Sequence, residues 1–241
     1  MNAAEVIALP NLVQLPDVDR DVDDNADIVV IGTGAAGAIA ALRLRQAGLD
    51  VVLIEEGPHH VGERRRDTWS AMRTYWRDCG MQVAKGRLLL PILQGRAVGG
   101  STVVNGAIVH RLPDAIHRAW EPHGVHQLLT LDALHGTYDA LDSLLSVAPA
   151  PEEVLGGNNR LMRDACNALG WRSNVIRRNV VGCEGSAGCM QGCANLRKQS
   201  MERAVLPQTL RAGARLYATC KAERITVERG RATGVVARFV D

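Results

Sequence analysis

Aromatic residues are scarce in this sequence, whose 241 residues include one Phe, three Tyr and four Trp. A hydrophobic core must therefore be built mainly from aliphatic side chains, which the 46% hydrophobic composition can supply. The sequence also lacks an uninterrupted apolar run of about 18 residues, so no membrane-spanning helix is predicted. Its start has neither a basic segment followed by an apolar block nor a twin-arginine signal, and we therefore expect a cytoplasmic location.

An excess of charge of either sign is missing as well. Lys and Arg total 28 and Asp and Glu total 26, giving a formal net charge of +2. This balance argues against nucleic acid or a membrane surface as a partner. Six cysteines without a secretion signal indicate thiols or metal ligands more than disulfides.

The clearest pattern that is present lies after a polar, acidic stretch over residues 1–25, which we interpret as a leader without chemistry. Residues 26–31 are apolar and rich in β-branched side chains, as is typical of a buried parallel strand. A glycine-rich turn and a helix-favouring segment over residues 38–47 follow, and a second apolar run spans residues 49–54. The order strand, turn, helix, strand predicts a βαβ unit.

The turn between this strand and helix reads Gly32-Thr-Gly34-Ala35-Ala36-Gly37. Gly32 permits the tight turn, Gly34 lets a pyrophosphate approach the backbone, and Gly37 allows the helix to pack closely on the strand. The N–H groups of Ala35 and Ala36 open the helix, whose positive end favours phosphate. The pattern predicts a dinucleotide site, because it follows a strand, opens a helix and precedes an acidic strand end.

Two acids compete for the ribose of that dinucleotide at the end of the second strand. Glu55 comes first, and Gly57 directly after Glu56 suggests that Glu56 already begins a turn. We therefore prefer Glu55 for the ribose hydroxyls, and an acid there disfavours a 2′-phosphate. This unit alone does not distinguish NAD from FAD.

A second glycine-rich segment, Gly-Arg-Ala-Val-Gly-Gly-Ser-Thr-Val-Val-Asn-Gly, spans residues 95–106. A double glycine followed by hydroxyl side chains lets the main chain lie against a flat ligand and offers N–H and O–H donors. Taken alone, the segment is better interpreted as an ordinary loop.

Together, the two glycine segments resemble the glucose–methanol–choline (GMC) oxidoreductase family, and the resemblance covers about residues 26–241. It implies bound FAD, with Gly32, Gly34, Gly37 and Glu55 at its ADP part and Gly99, Gly100, Ser101 and Asn105 near the isoalloxazine and its linker. By the same resemblance, Gly95, Arg96 and Gly106 of the second segment are also expected to bind the cofactor. Some members attach the flavin through a His just before the Asn that corresponds to Asn105. Val104 occupies that position here, which argues against a covalent histidyl link.

The resemblance also implies the fold class and domain organisation. We expect an α/β protein with a Rossmann-like FAD-binding domain, formed by residues 26–115 and 196–241, in which a parallel sheet carries an added hairpin or meander. Residues 116–195 would form part of a substrate domain, which begins with a helical stretch over about 115–145. The last segments, 225–228 and 233–240, are predicted to pair as a hairpin.

The resemblance implies oxidation of a CH–OH group of a small-molecule alcohol by hydride transfer to flavin N5. Members are typically about twice this length and carry a catalytic His, paired with His or Asn, near the C-terminus. None of the seven histidines here falls in such a motif, so we assign no catalytic residue. We expect the chain to be the FAD-binding half, incomplete without a second half.

Cys183, Cys189 and Cys193 form a C-x5-C-x3-C pattern among glycines. Three thiolates on a loop could hold an iron–sulfur cluster, whereas zinc normally requires a fourth ligand. Some dehydrogenase subunits of the resembling family carry a three-iron cluster on a similar pattern and pass electrons to an acceptor protein. Ordinary loop thiols are the competing interpretation.

The sequence therefore leaves three candidate functions. The first is a flavin-dependent oxidoreductase or its FAD-binding half. The second is an iron–sulfur electron-transfer subunit that uses the cysteine loop. The third, an NAD-binding module, is disfavoured because it gives the second glycine segment no role.

Overall fold

The computed structural model of the protein describes residues 9–60 and 67–240. Its strands are β1 (Leu12–Val13), β2 (Ile28–Ile31), β3 (Val51–Ile54), β4 (Val83–Lys85), β5 (Leu89–Pro91), β6 (Val147–Pro149), β7 (Arg177–Asn179), β8 (Arg215–Tyr217), β9 (Cys220–Glu228) and β10 (Arg231–Phe239). Its α-helices are α1 (Ala35–Gln46), α2 (Thr68–Tyr75), α3 (Asp114–Trp120), α4 (Val125–Leu128), α5 (Leu131–Leu144), α6 (Gly157–Ala168), α7 (Met201–Ala204) and α8 (Leu206–Arg211). Short 3-10 turns cover Arg77–Gly80, Gly100–Thr102, Glu121–His123, Glu152–Val154 and Cys189–Gln191.

The central element is a four-stranded parallel sheet with strand order β1-β8-β3-β2. Strand β3 lies in its interior, and all four of its residues are buried, because its apolar side chains are covered on both faces. Helix α1 buries Ala38, Ala41 and Leu42 and contacts β2, β3 and α8. The predicted α/β fold with a βαβ unit is confirmed.

The ends of helix α1 follow from its sequence. Gly34 is its N-cap in extended conformation, and Gly48, at φ +87°, lies just beyond its C-terminal end. A left-handed residue after the last turn is the usual way for a helix to stop, and glycine adopts it without steric cost.

Strands β9 and β10 form the antiparallel hairpin that the sequence predicts, with Arg231 opposite Glu228. The hairpin packs on one face of the parallel sheet through Cys220, Val235 and Phe239, which contact the cluster around Val52 and Ile54. This apolar contact is what joins the hairpin to the sheet.

The chain divides into two compact units. The first contains the described residues up to Gly106, together with Ser186–Leu196 and the chain from Ser200 onward. The second contains Ala107–Gly185 and Arg197–Gln199. These boundaries differ from the expected ones at 115/116 and 195/196, and strand β1 lies inside the stretch expected to be a leader. Residues 1–8 of that stretch lie outside the described residues.

The second unit holds α3 to α6 and the antiparallel pair β6–β7. The helical stretch expected over about 115–145 is divided there into α3, a 3-10 turn, α4 and α5. Gly124, at φ +84°, separates the turn from α4, and the side chain of Thr130 caps α5 by accepting from the N–H of Ala133. No helix within residues 9–60 and 67–240 is long and apolar enough to cross a membrane.

Candidate cofactor-binding cleft

The two glycine segments, far apart in the sequence, meet in the first unit. A Cβ atom added to Gly100 would lie 2.8 Å from the Cα of Gly34. The backbone N–H of Gly99 donates a 2.9 Å hydrogen bond to the side-chain oxygen of Thr33, 66 residues away. The predicted pyrophosphate turn and the predicted flavin segment therefore border the same space.

That space is a cleft of about 380 Å³. Its lining comes from the end of β2, the glycine turn, the end of β3, the second glycine segment and the start of β9. The lining residues are Ile31, Gly32, Gly34, Ile54, Glu55, Glu56, Arg77, Gln94, Gly95, Gly100, Ser101, Cys220, Lys221 and Ala222. Seven further predicted site residues, all described, do not line it: Ala35, Ala36, Gly37, Arg96, Gly99, Asn105 and Gly106.

The first turn has the geometry that its glycines predict. Gly32 has φ +94°, which glycine adopts without strain. A Cβ on Gly37 would lie 2.0 Å from the carbonyl oxygen of Gly32, so only glycine lets the helix approach the strand this closely. A Cβ on Gly34 would meet no protein atom within 4 Å, because that position faces open space. The turn is therefore tight on its protein side and open on its cleft side.

The start of helix α1 faces this turn without a side-chain cap. The N-cap residue, Gly34, has no side chain that could accept a hydrogen bond from the first N–H groups, and the first turn of the helix carries no acidic residue. The first N–H groups of a helix have no partner within it, and the helix dipole makes this end positive. These features suit an anion such as a diphosphate.

The second glycine segment is equally constrained. Gly99 and Gly100 both have positive φ, at +96° and +56°. A Cβ on Gly95 would lie 2.7 Å from the carbonyl oxygen of Gly100, and the Gly95 N–H donates to the Ser101 hydroxyl at 3.0 Å. The segment thus folds back on itself and presents main chain, with no side chain at Gly100, to the cleft.

Glu55 lies where the sequence places it, but its carboxylate is already engaged by the protein. It is 7% exposed and accepts hydrogen bonds from the Thr33 N–H at 2.9 Å, the Thr33 hydroxyl at 2.7 Å and the Gly57 N–H at 2.9 Å. Its oxygens hold the first turn against the end of β3. The assignment of Glu55 to the ribose hydroxyls remains a prediction.

Glu56, the competing acid, is bound by two arginines. Arg77 donates two hydrogen bonds to its carboxylate at 3.1 and 2.8 Å, and Arg96 lies 3.5 Å from it. The Arg77 hydrogen bonds hold the pKa of the Glu56 carboxyl below its usual value, although partial burial opposes this shift. Arg77 lines the cleft, yet the sequence analysis predicts no role for it. An isolated arginine belongs to no motif from which a place in the cleft could be predicted.

The predicted residues after Ser101 lie beside the cleft instead of on its surface. Val104 is 2% exposed, and its side chain packs in a cluster with Ala71, Tyr75 and Val103. Asn105 is exposed, and its N–H donates to the carbonyl oxygen of Ser101. Position 104 therefore offers an aliphatic side chain to the core, with no nucleophile for a covalent flavin link.

The cysteine loop gives the cluster prediction no support. All six cysteines lie in the described part of the chain as thiols, and Cys193 is buried. Among the residues that the structure describes, no group of three His, Cys, Asp or Glu side chains is placed to hold a metal ion. Cys183 belongs to the second unit, whereas Cys189 and Cys193 belong to the first.

The donor set of the cleft fits a dinucleotide cofactor. It combines an uncapped helix start, open space at Gly34, and a second backbone surface at Gly100 where a side chain could not fit. A βαβ unit with this turn and an acidic strand end defines a dinucleotide-binding α/β protein. The chain belongs to the GMC oxidoreductase family, whose N-terminal profile matches residues 26–241.

Known proteins agree with this assignment. A GMC-type oxidoreductase of Mycobacterium tuberculosis is 42% identical over 218 residues, which cover 90% of this chain and 35% of the relative. A long-chain-alcohol oxidase of Arabidopsis thaliana is 27% identical over 86% of this chain and 28% of its own length. The crystal structure of pyridoxine 4-oxidase from "Mesorbium loti" matches with a TM-score of 0.63 at 18% identity, covering 88% of this chain and 46% of that chain. The chain thus spans less than half the length of the relatives it matches.

Proposed function

We propose that this chain binds FAD in the cleft and is the FAD-binding portion of a GMC-type oxidoreductase that oxidises a CH–OH group. The observation that carries the proposal is the contact between the two glycine turns, with Gly100 against Gly34. A turn for the diphosphate alone would serve NAD as well as FAD. A second backbone surface beside it favours a cofactor with a flat ring system that is held near both.

The residues divide the binding task between them. The first turn and the start of α1 would hold the diphosphate through backbone N–H groups. The main chain from Gly99 to Ser101 would lie against the flavin side of the cofactor, where Gly100 leaves room. FAD, when bound, supplies a hydride acceptor for the alcohol carbon, and the chain supplies binding and orientation.

The substrate class is proposed from the relatives. One is named for long-chain alcohols. The structural relative is named for pyridoxine and shares the fold. We infer a small-molecule alcohol as the substrate. None of the described residues that line the cleft is a histidine, so the proposal assigns to this chain no base for the hydroxyl proton.

The test is FAD binding by the purified full chain, measured by quenching of flavin fluorescence and by the flavin spectrum of the washed protein. The Gly34→Ala variant should fold normally, because its Cβ meets no protein atom within 4 Å and its φ of −65° suits alanine. It should lose FAD affinity by at least about tenfold, because the methyl group occupies the space for the diphosphate.

The matched control is Gly156→Ala. Gly156 is also an extended N-cap, at φ −66°, and its Cβ would also meet no atom within 4 Å, but it opens α6 in the second unit. This variant should bind FAD as the parent chain does. A parent chain that takes up no FAD, or a Gly34→Ala variant with unchanged affinity, would contradict the proposal.

A further inference from the structure

Thr33 joins the two glycine turns through its side chain. It is the residue between Gly32 and Gly34, and it is 0% exposed. Its hydroxyl accepts from the N–H of Gly99 at 2.9 Å and donates to the carboxylate of Glu55 at 2.7 Å. One side chain therefore connects the first turn, the end of β3 and the second glycine segment.

Few side chains could make this connection. The group at this position must accept one hydrogen bond and donate another at the same time, which a hydroxyl does and an aliphatic group cannot. Thr33 is branched at Cβ, so few rotamers are open to it, and its buried position restricts it further. The direction of both hydrogen bonds is thus fixed by local geometry.

The hydrogen bond to Gly99 orients a part of the backbone in which two successive glycines have positive φ. Gly99 and Gly100 have φ of +96° and +56°, which glycine adopts without steric cost. The Thr33 hydroxyl holds the N–H of Gly99, and the Thr102 hydroxyl donates to its carbonyl oxygen. Immediately after this hydrogen bond, Gly100 reaches its contact with Gly34. The Thr33 hydroxyl is therefore placed to set the separation between the two backbone surfaces.

We propose that Thr33 is a positioning residue that couples the diphosphate turn to the flavin segment. Its hydroxyl would not touch the cofactor, because the side chain is fully buried by the protein and both hydrogen bonds go to protein groups. It acts by holding the main chain at Gly99 and Gly100 where the flavin side of FAD would bind. This inference rests on the proposed function and adds that one buried side chain holds the two parts of the site together.

Thr33→Val keeps the shape of the side chain and removes the hydroxyl, and we expect it to weaken the binding of FAD but not that of ADP. FAD contacts both turns, whereas ADP reaches only the first. The variant should bind FAD about tenfold more weakly than the parent chain, the effect of losing one hydrogen bond to a buried group. Its ADP affinity should stay within about twofold, because the first turn keeps the Thr33 N–H bond to Glu55.

Two further variants separate positioning from general destabilisation. Thr33→Ser retains the hydroxyl and should restore FAD affinity to near that of the parent chain. Thr209→Val removes another fully buried hydroxyl, which lies in helix α8 and donates to the carbonyl of Val205, the residue just before this helix, and it should change neither affinity. If Thr33→Val does not fold, Thr33→Cys replaces it, since a thiol keeps a heteroatom at the hydroxyl's position but is only a weak donor and acceptor.

The experiment is a titration of each full-chain variant with FAD and with ADP, followed by fluorescence quenching and calorimetry. Selective loss of FAD affinity with rescue by serine supports the inference. Equal loss of FAD and ADP affinity, or no loss of either, overturns it. A parent chain that binds neither ligand refutes the proposed function itself, and so the two failures are distinguishable.

Discussion

Two adjacent carboxylates, Glu55 and Glu56, have opposite surroundings. Glu55 is buried and accepts three hydrogen bonds from Thr33 and Gly57. Glu56 is less buried and is bound by Arg77 and Arg96. Glu55 therefore stabilises the glycine turn through buried hydrogen bonds, whereas Glu56 forms an ion pair that lines the cleft.

Substitution by glutamine should separate these roles. In Glu55→Gln, the amide N–H₂ must face either the Thr33 donors or the Gly57 N–H, and this donor-to-donor contact should lower the free energy of unfolding by about 1–3 kcal/mol. Glu56→Gln should cost less, about 1 kcal/mol, because its ion pair with Arg77 is only partly buried and stays in contact with solvent. Urea unfolding of both variants at pH 7.5 measures the difference, and equal losses would contradict the braced geometry.

His59 is expected to make stability depend on pH. Burial of its ring, and next the neighbouring His60, lower its pKa from the ordinary 6.5 to about 4. The unfolded chain therefore binds a proton below pH 6.5 that the folded chain does not bind until about pH 4. Stability is lost as the pH falls through this window, by about 2 kcal/mol at pH 5 relative to pH 7.5.

The measurement is the free energy of urea unfolding at pH 5 and pH 7.5. His59→Gln should remove most of the loss that His59 causes. His110→Gln is the control, since His110 is exposed, and it should leave the pH dependence as it is in the parent chain. A His59→Gln variant with the parent's pH dependence would show that the ring is not responsible.

At the scale of elements, the segments with strong local signals are the ones that the sequence predicts. Strands β2 and β3 and helix α1 follow from apolar runs, helix-forming residues and glycines at both ends of α1. The hairpin β9–β10 follows from the turn at Arg229 and Gly230. In each, residues close in sequence determine the conformation.

Elsewhere the local signal is absent or misleading. The sequence does not predict the pair β4–β5, because apolar and polar residues do not alternate along it. In the structure Leu89 is 68% exposed and Leu90 60%, so burial of these side chains does not define the strand. The stretch over 115–145 has helical composition throughout, but Pro122 and Gly124 interrupt it. Strand β1 is two residues long and exists only through its pairing with β8.

At the scale of the molecule, the sequence predicts segments that line the cleft, but it does not predict the long-range contacts that bring them together. The first glycine turn could be recognised from its own sequence context, whereas the second gained a role only in combination with the first. The hydrogen bond from Gly99 to Thr33 joins residues 66 apart, and no local pattern specifies it. Arg77 and Lys221 also reach the cleft only because distant segments are folded together.

This long-range assembly leads to a last prediction, made for hydrogen exchange of the full chain with and without saturating FAD. Backbone amides over residues 32–37 and 99–105 should both exchange more slowly with FAD, because one ligand would contact both turns and stabilise the folded state that holds them. Helix α6, in the second unit, serves as the internal reference and should be unchanged. NAD should protect neither segment to the same degree. Protection confined to residues 32–37 would mean that the second glycine segment takes no part in binding, and the chain would then act as a nucleotide-binding module alone.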